Sequence, residues 1–205
     1  MDDARYLWRQ LTPKQRAGLV AWRKQNKRPW HSPPHVRVDQ TCIHLSAACY
    51  EHRPWIGTTP ERMDSFSGDL LVFLSEVTTQ IYAWCVLPNH YHVLVSAPDN
   101  LALLGAVGQF HGRISHAWNG QDDCRGRKVF FRAIDKPVRS DRHLWATLNY
   151  IHHNPVHHRY AARWQDWPWS SAAAYLEAKG EVEARRIWQE YPVLKMGRNW
   201  DEPEL

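Results

Sequence analysis

The spacing of apolar and polar positions along this 205-residue chain changes period several times, and each change marks an element. Residues 12–28, TPKQRAGLVAWRKQNKR, read as a short amphipathic helix with Thr12 as cap and Pro13 in its first position. PWHSPPH then breaks the pattern and serves as a linker. Residues 38–50 alternate and are rich in β-formers, which predicts a strand. Met63, Phe66, Leu70, Phe73, Leu74 and Val77 recur at helical spacing and predict a core-facing helix. Residues 81–87 and 91–96 flank Pro88-Asn89 as two adjacent strands or a hairpin, and residues 101–118 form a second helix. KVFFRAI predicts a further short strand. Ser140 or Asp141 caps a helix through HLWATLNYIHHN, with its end expected before Pro155 because proline disfavours helical geometry in the residue preceding it. Two short helices follow DWPWSS, the first capped at Ser170 or Ser171.

The order strand, helix, strand, strand, helix, strand, helix predicts an α+β, ferredoxin-like antiparallel sheet with helices on one face. Three segments are expected: a basic helical extension and linker over 1–35, a core over 36–160 and a helical extension over 161–205. No apolar run approaches the roughly 18 residues of a membrane span, and the start lacks the order of a signal peptide. A cytoplasmic protein is expected. Cys42, Cys49, Cys85 and Cys124 form neither a C-x-x-C pair nor a disulfide framework, which fits free thiols.

Charge changes this reading once it is divided along the chain. Residues 1–35 carry eight Lys or Arg against two Asp, while the remainder is close to neutral; a second local excess runs from Arg113 to Arg142. Clustered cations suit a polyanion, although each run is also compatible with a solvated surface.

The chemistry concentrates in two places. His90 and His92 flank Tyr91 at the start of an apolar stretch, so in a strand their side chains share one face about 6–7 Å apart. Two imidazoles so placed can converge on a divalent ion, or can form a hydrogen-bonded pair. On the helix before Pro155, Tyr150 and Asn154 lie four residues apart on one face. A phenol can act as nucleophile and an amide oxygen suits a hard cation. A core aromatic is the alternative for Tyr150, and His153 competes with Asn154 as third ligand.

LPNHYHVLV, then NYIHHNPV some sixty residues on, then DWPWSS, resemble the REP-associated tyrosine transposases, a branch of the single-tyrosine HUH transposases, over roughly residues 40–176. The resemblance implies an enzyme that cuts single-stranded DNA at REP-type hairpins through a 5′-phosphotyrosine on Tyr150. It implies that His90, His92 and Asn154 hold Mg²⁺ or Mn²⁺, of which Mn²⁺ better suits mixed nitrogen and oxygen ligands. The expected partners are DNA hairpins, with no membrane, for a monomer or homodimer associated with the nucleoid. Phosphate contacts are assigned to Arg113, Arg127, Lys128, Arg139 and Arg142, with His111 as a further candidate. Arg23, Lys24, Lys27 and Arg28 of the first helix either grip the stem or are solvated while that helix packs on the core. HHNPVHH is unusually polar; His152, His157 and His158 are surface, DNA-facing or alternative ligands. Other readings are a hairpin or RNA binder without catalysis, and a metal-dependent phosphodiester hydrolase.

Overall fold

The computed structural model describes residues 11–25, 39–193 and 196, within two units comprising residues 1–36 and 37–205. In the first unit, helix α1 spans Pro13–Gln25. Thr12 Oγ1 accepts from the Gln15 amide at 3.3 Å, and the Gln15 side chain accepts from the Thr12 amide at 2.8 Å. This reciprocal pair satisfies amides that a helix start leaves without partners. Lys27 and Arg28 lie outside the described residues, as do the side chains of Arg23 and Lys24.

The second unit holds four strands, β1 (Asp39–Ala48), β2 (Gln80–Val86), β3 (His90–Asp99) and β4 (Ile134–Pro137). They form one antiparallel sheet in the order β2-β3-β1-β4, with Leu45 opposite Val93 and Cys85 opposite His92. Helices α2 (Pro60–Val77) and α3 (Asn100–Gln121) make the crossovers, which completes the expected ferredoxin-like α+β layer. Among the described residues no helix is long and apolar enough to cross a membrane.

Strand alternation sends Tyr91, Val93 and Val95, with Ile43, Leu45 and Ala47, into one core. Phe66, Leu70 and Phe73 of α2 and Leu103, Val107 and Phe110 of α3 close that core from above. The expectation of helices on one face holds for these two. A further helix, α4 (Asp141–His157), covers the opposite face, where Leu148, Tyr150 and Ile151 pack on Ala83, Cys85 and Leu94. Burial on both faces explains why β3 reads as almost continuously apolar.

Two elements depart from the sequence reading. KVFFRAI does not form a strand throughout: β4 begins only at Ile134, and Phe130 makes a single bridge to Cys49. Phe130 is drawn instead into the aromatic core, within 5.9 Å of Phe66 and stacked on His111 at 4.1 Å. Helix α4 runs past Pro155 to His157. Proline here removes only one helical hydrogen bond, in the last turn, and the end is closed by the His158 amide on the Asn154 carbonyl and the Tyr160 amide on the Pro155 carbonyl. Asn154 is thereby kept in helical register with Tyr150.

The stretch after α4 lies in the same unit and seals an exposed edge. β2 would otherwise present unpaired backbone groups. The Val86 amide donates to the Trp169 carbonyl, the Ser171 amide to the Trp84 carbonyl, and Trp167 Nε1 to the Val86 carbonyl. DWPWSS is thus an edge cover for the strand that leads into His90. Helices α5 (Ala172–Lys179) and α6 (Glu181–Glu190) follow, with Ser170 Oγ accepting from the Ala172 amide. The hairpin between β2 and β3 is pinned from the side by Gly57, whose amide donates to the Pro88 carbonyl; a Cβ there would lie 2.4 Å from Pro88 Cβ.

Two buried histidines make the fold acid-sensitive. His111 bonds the Tyr91 hydroxyl at 2.9 Å and His152 bonds Ser171 Oγ at 2.8 Å. Burial pushes their pKa values down to about 4 and about 3. Their folded-state values lie below the unfolded one of about 6.5, so their full contribution is present above that pH and drains away below it. The urea midpoint should therefore fall as pH drops from about 6.5 to about 4, with a limiting slope near 1.4 kcal/mol per pH unit per histidine. A midpoint flat over that range contradicts neutral burial of both rings.

Candidate functional site

The site is assembled where α4 packs on β2 and β3, with the His44 ring of β1 beside Tyr150. His90 and His92 share one face of β3, with ring centroids 5.0 Å apart. Tyr150 stands over His92 at 5.3 Å between ring centroids. Asn154, one turn further along α4, brings Oδ1 to 3.2 Å from His90 Nε2. All four side chains are buried, none more than 6% exposed. His153 sits elsewhere, its ring 4.8 Å from Trp188. His158 lies 4.9 Å from the His90 ring, while His152 is held behind α4 by Ser171.

Two neighbours escaped the sequence reading. Asn89 Oδ1 lies 2.6 Å from His90 Nδ1, and since an amide oxygen only accepts, the ring donates from Nδ1. His90 Nε2 lies 3.2 Å from a second amide oxygen, Asn154 Oδ1. A ring nitrogen and an amide oxygen 3.2 Å apart, beside a second imidazole, are the donor types that a divalent cation takes, so the set fits one. His44 of β1 places Nε2 at 3.3 Å from His92 Nδ1 and its ring 5.8 Å from Tyr150. With His92 donating from Nδ1, its Nε2 becomes the ligating nitrogen, the usual way a second partner orients a metal-binding imidazole. The alternation of Ile43, Leu45 and Ala47 with His44 and Ser46 puts His44 on the polar face of β1, a signal visible in the sequence. Its pairing with His92 required the strand register.

Among the described residues no three His, Cys, Asp or Glu side chains converge to hold a metal by themselves. The set available is two imidazoles and one amide oxygen, with no anionic ligand among them. A divalent ion held there keeps its full charge for an anionic substrate, and phosphate oxygens would complete its coordination.

The predicted basic contacts separate into two kinds. Arg113, Lys128, Arg139 and Arg142 are exposed. Lys128 Nζ lies over the Tyr50 ring at 4.6 Å and near Phe131 at 5.6 Å, a cation set beside two aromatic faces. Arg127 is engaged within the fold: Nε donates to Asn119 Oδ1 at 2.9 Å, Nη2 pairs with Asp122 at 2.6 Å, and the guanidinium stacks over Trp55 at 4.2 Å. Asp122 also meets Arg62 at 2.5 Å, so one carboxylate faces two guanidiniums and the cluster keeps one net positive charge. His111 lies in the core, not at the surface.

The two guanidiniums bonded to Asp122 hold its carboxyl down at about 2. Since the unfolded value is near 3.9, its contribution is complete above about pH 4 and is lost as pH falls toward 2. In partly solvated surroundings Asp122→Asn should cost about 1 kcal/mol at pH 7 and almost nothing at pH 2, measured by urea unfolding. An equal loss at both values would assign the effect to something other than this charge.

No protein-family model matches the chain. A curated REP-associated tyrosine transposase of Haemophilus influenzae is 28% identical over 124 residues, spanning 56% of this chain and 69% of the relative. A solved REP-associated tyrosine transposase, bound to a REP hairpin, superposes with a TM-score of 0.59 at 19% identity, over 72% of this chain and 86% of the other. That likeness establishes the fold. Three ordered motifs, a curated relative and a shared α+β layer agree: the chain is similar to the REP-associated tyrosine transposases in sequence over 124 residues and in its fold.

Proposed function

We propose that this protein is a divalent-metal-dependent single-stranded DNA endonuclease and strand transferase that acts on REP-type DNA hairpins through a phosphotyrosine at Tyr150. The observation that carries the reading is the convergence of Tyr150 with His90, His92 and Asn154, from segments some sixty residues apart, with His90 Nε2 and Asn154 Oδ1 side by side. The naming of the curated relative and of the hairpin-bound structure supports the substrate class.

His90, His92 and Asn154 would hold Mg²⁺ or Mn²⁺, which when bound polarises the scissile phosphate and offsets its negative charge. Tyr150 Oη attacks phosphorus, the P–O3′ bond breaks, and the phenol proton ends on the released 3′ oxygen. The 5′-phosphate is left as an ester of Tyr150. A second 3′-hydroxyl can reverse the step and join strands, which an attacking water cannot allow. Asn89 and His44 hold the two imidazoles in the tautomers that ligate. Lys128 beside Tyr50 and Phe131, with Arg113, Arg139 and Arg142, offers contacts to phosphates and unpaired bases.

The test is to incubate the protein with an end-labelled hairpin oligonucleotide bearing single-stranded flanks and Mn²⁺ or Mg²⁺, and to resolve the products on a denaturing gel. A protein–DNA adduct and a fragment with a 3′-hydroxyl are expected. Cleavage without adduct would establish the hydrolase instead, and tight binding without cleavage would establish a catalytically silent hairpin binder.

A further inference from the structure

Behind α4, on the side away from the sheet, lies a cavity of about 470 Å³ bounded by α4, the short turn Trp164–Asp166, α5 and α6. This is within the roughly 300–1,000 Å³ typical of small-ligand sites. Asn149, His152 and His153 line it from α4, while Tyr150 and Asn154 of the same helix face the strands. Asn149 fastens α6 in place by donating to the Ile187 and Tyr191 carbonyls.

The walls are aromatic. Trp164 and Tyr175 stand 6.4 Å apart between centroids, and Trp188 contributes a ring left 37% exposed. Trp188 has the His153 ring at 4.8 Å as neighbour and still leaves part of its surface open to a stacked ligand. Three of the side chains that line it also hold polar atoms with unmet hydrogen-bonding capacity. Gln165 Oε1, Tyr175 Oη and His153 Nδ1 are shielded from water and bonded to nothing among the described residues, an arrangement that is costly to keep unless something satisfies it. Arg163 and Arg185 also line it, each held by an exposed carboxylate, Asp166 at 2.8 Å and Glu181 at 2.9 Å. Exposed pairs of this kind are weak and readily exchanged for phosphate.

Aromatic faces, polar side chains and exchangeable guanidiniums together match one ligand chemistry. We propose that this cavity takes a single unstacked nucleobase, its ring against Trp188, its edge toward the Gln165 and Tyr175 side chains, and its phosphate at Arg163 or Arg185. The inference deepens the function proposed above and rests on it for the source of the base, an unpaired position of the strand cut at Tyr150. Because the cavity and the nucleophile lie on different sides of one helix, about 10 Å thick, that base is a few nucleotides from the scissile phosphate. Sequence choice would then be read on the reverse of the helix that carries the chemistry.

Two arms decide it. In the first, an abasic site is walked along the single-stranded flank of a labelled hairpin, and affinity is measured for the wild-type protein and for Trp188→Ala. Wild type should lose about tenfold or more at one position, while Trp188→Ala should bind the intact oligonucleotide correspondingly weakly and lose nothing further at that position. Gln165→Leu, which cannot bond a base edge, repeats the comparison should Trp188→Ala fail to fold. In the second arm dGMP and dAMP are titrated by calorimetry. A walk that is flat or additive throughout, with a mononucleotide bound by wild type and not by Trp188→Ala, overturns the strand as source and assigns the cavity to a free nucleotide. No coupling in the walk and no mononucleotide binding overturns the proposal. Wild-type protein that fails to bind the hairpin sinks the proposed function, and the mononucleotide arm then decides the cavity alone.

Discussion

A Tyr150→Phe variant is expected to give no covalent adduct with a hairpin oligonucleotide and to cut it more slowly by roughly 10⁴-fold or more, the scale seen when a sole nucleophile is removed. The substitution deletes one oxygen and keeps the ring, which packs against His92 and His44 at 5.3 and 5.8 Å between centroids. Stability should therefore shift by no more than about 1.5 kcal/mol, the net worth of one hydrogen bond. Hairpin affinity should be kept, since phosphate contacts and base stacking do not use the phenol oxygen. This combination separates the nucleophile from a core aromatic. A purely structural Tyr150 would leave the adduct intact, on another residue, and an adduct surviving in Tyr150→Phe would sink the assignment.

The second large effect concerns the ligands. Chelation by EDTA should abolish the adduct with wild-type protein, and added Mn²⁺ or Mg²⁺ should restore it. His90→Ala and His92→Ala each remove one of the three proposed ligands and should lower the adduct rate by about 10²-fold or more at any practical metal concentration. His44→Ala should behave differently. His44 touches His92 Nδ1 at 3.3 Å and fixes the orientation of the ring; losing it should raise the Mn²⁺ needed for half-maximal rate about 10- to 100-fold while leaving the rate at saturating Mn²⁺ close to wild type. A His44→Ala variant slow at every Mn²⁺ concentration would place that ring in the reaction itself. Full activity of wild type in EDTA would remove the metal from the proposal.

Much of the site was legible in the chain because its residues follow local periodicities. The i, i+2 spacing put His90 and His92 on one strand face, and the i, i+4 spacing put Tyr150 and Asn154 on one helix face; both hold in the structure. The end of α4 was misjudged because the rule about proline is local. Pro155 disfavours helix in its predecessor, but packing of Leu148 and Ile151 on the sheet, with closure by the His158 and Tyr160 amides, outweighs the loss of one bond in a last turn. KVFFRAI has good strand composition throughout, yet Phe130 is worth more in the aromatic core than in a ladder.

Arg127 illustrates a different limit. From the sequence it is one of a run of cations, available to any polyanion. In the fold it is bonded to Asp122 and Asn119 and stacked over Trp55, whereas its neighbour Lys128 stands exposed beside Tyr50. Nothing in the charge pattern distinguishes the two.

By itself the sequence determined most of the elements, that the strand carrying His90 and His92 is apolar, and which residue types occupy the chemical positions. Each follows from contacts between residues a few positions apart, and short-range geometry is nearly the same in any fold. Tertiary structure alone decided that β1 brings His44 to His92, that α4 lies on the opposite side of the sheet from α2 and α3, and that Asn154 and not His153 faces His90. It also decided which cations are neutralised and where the aromatic residues after Tyr160 leave a cavity. Those outcomes depend on strand register and on which helix face is buried, and both are set by the packing of the whole core.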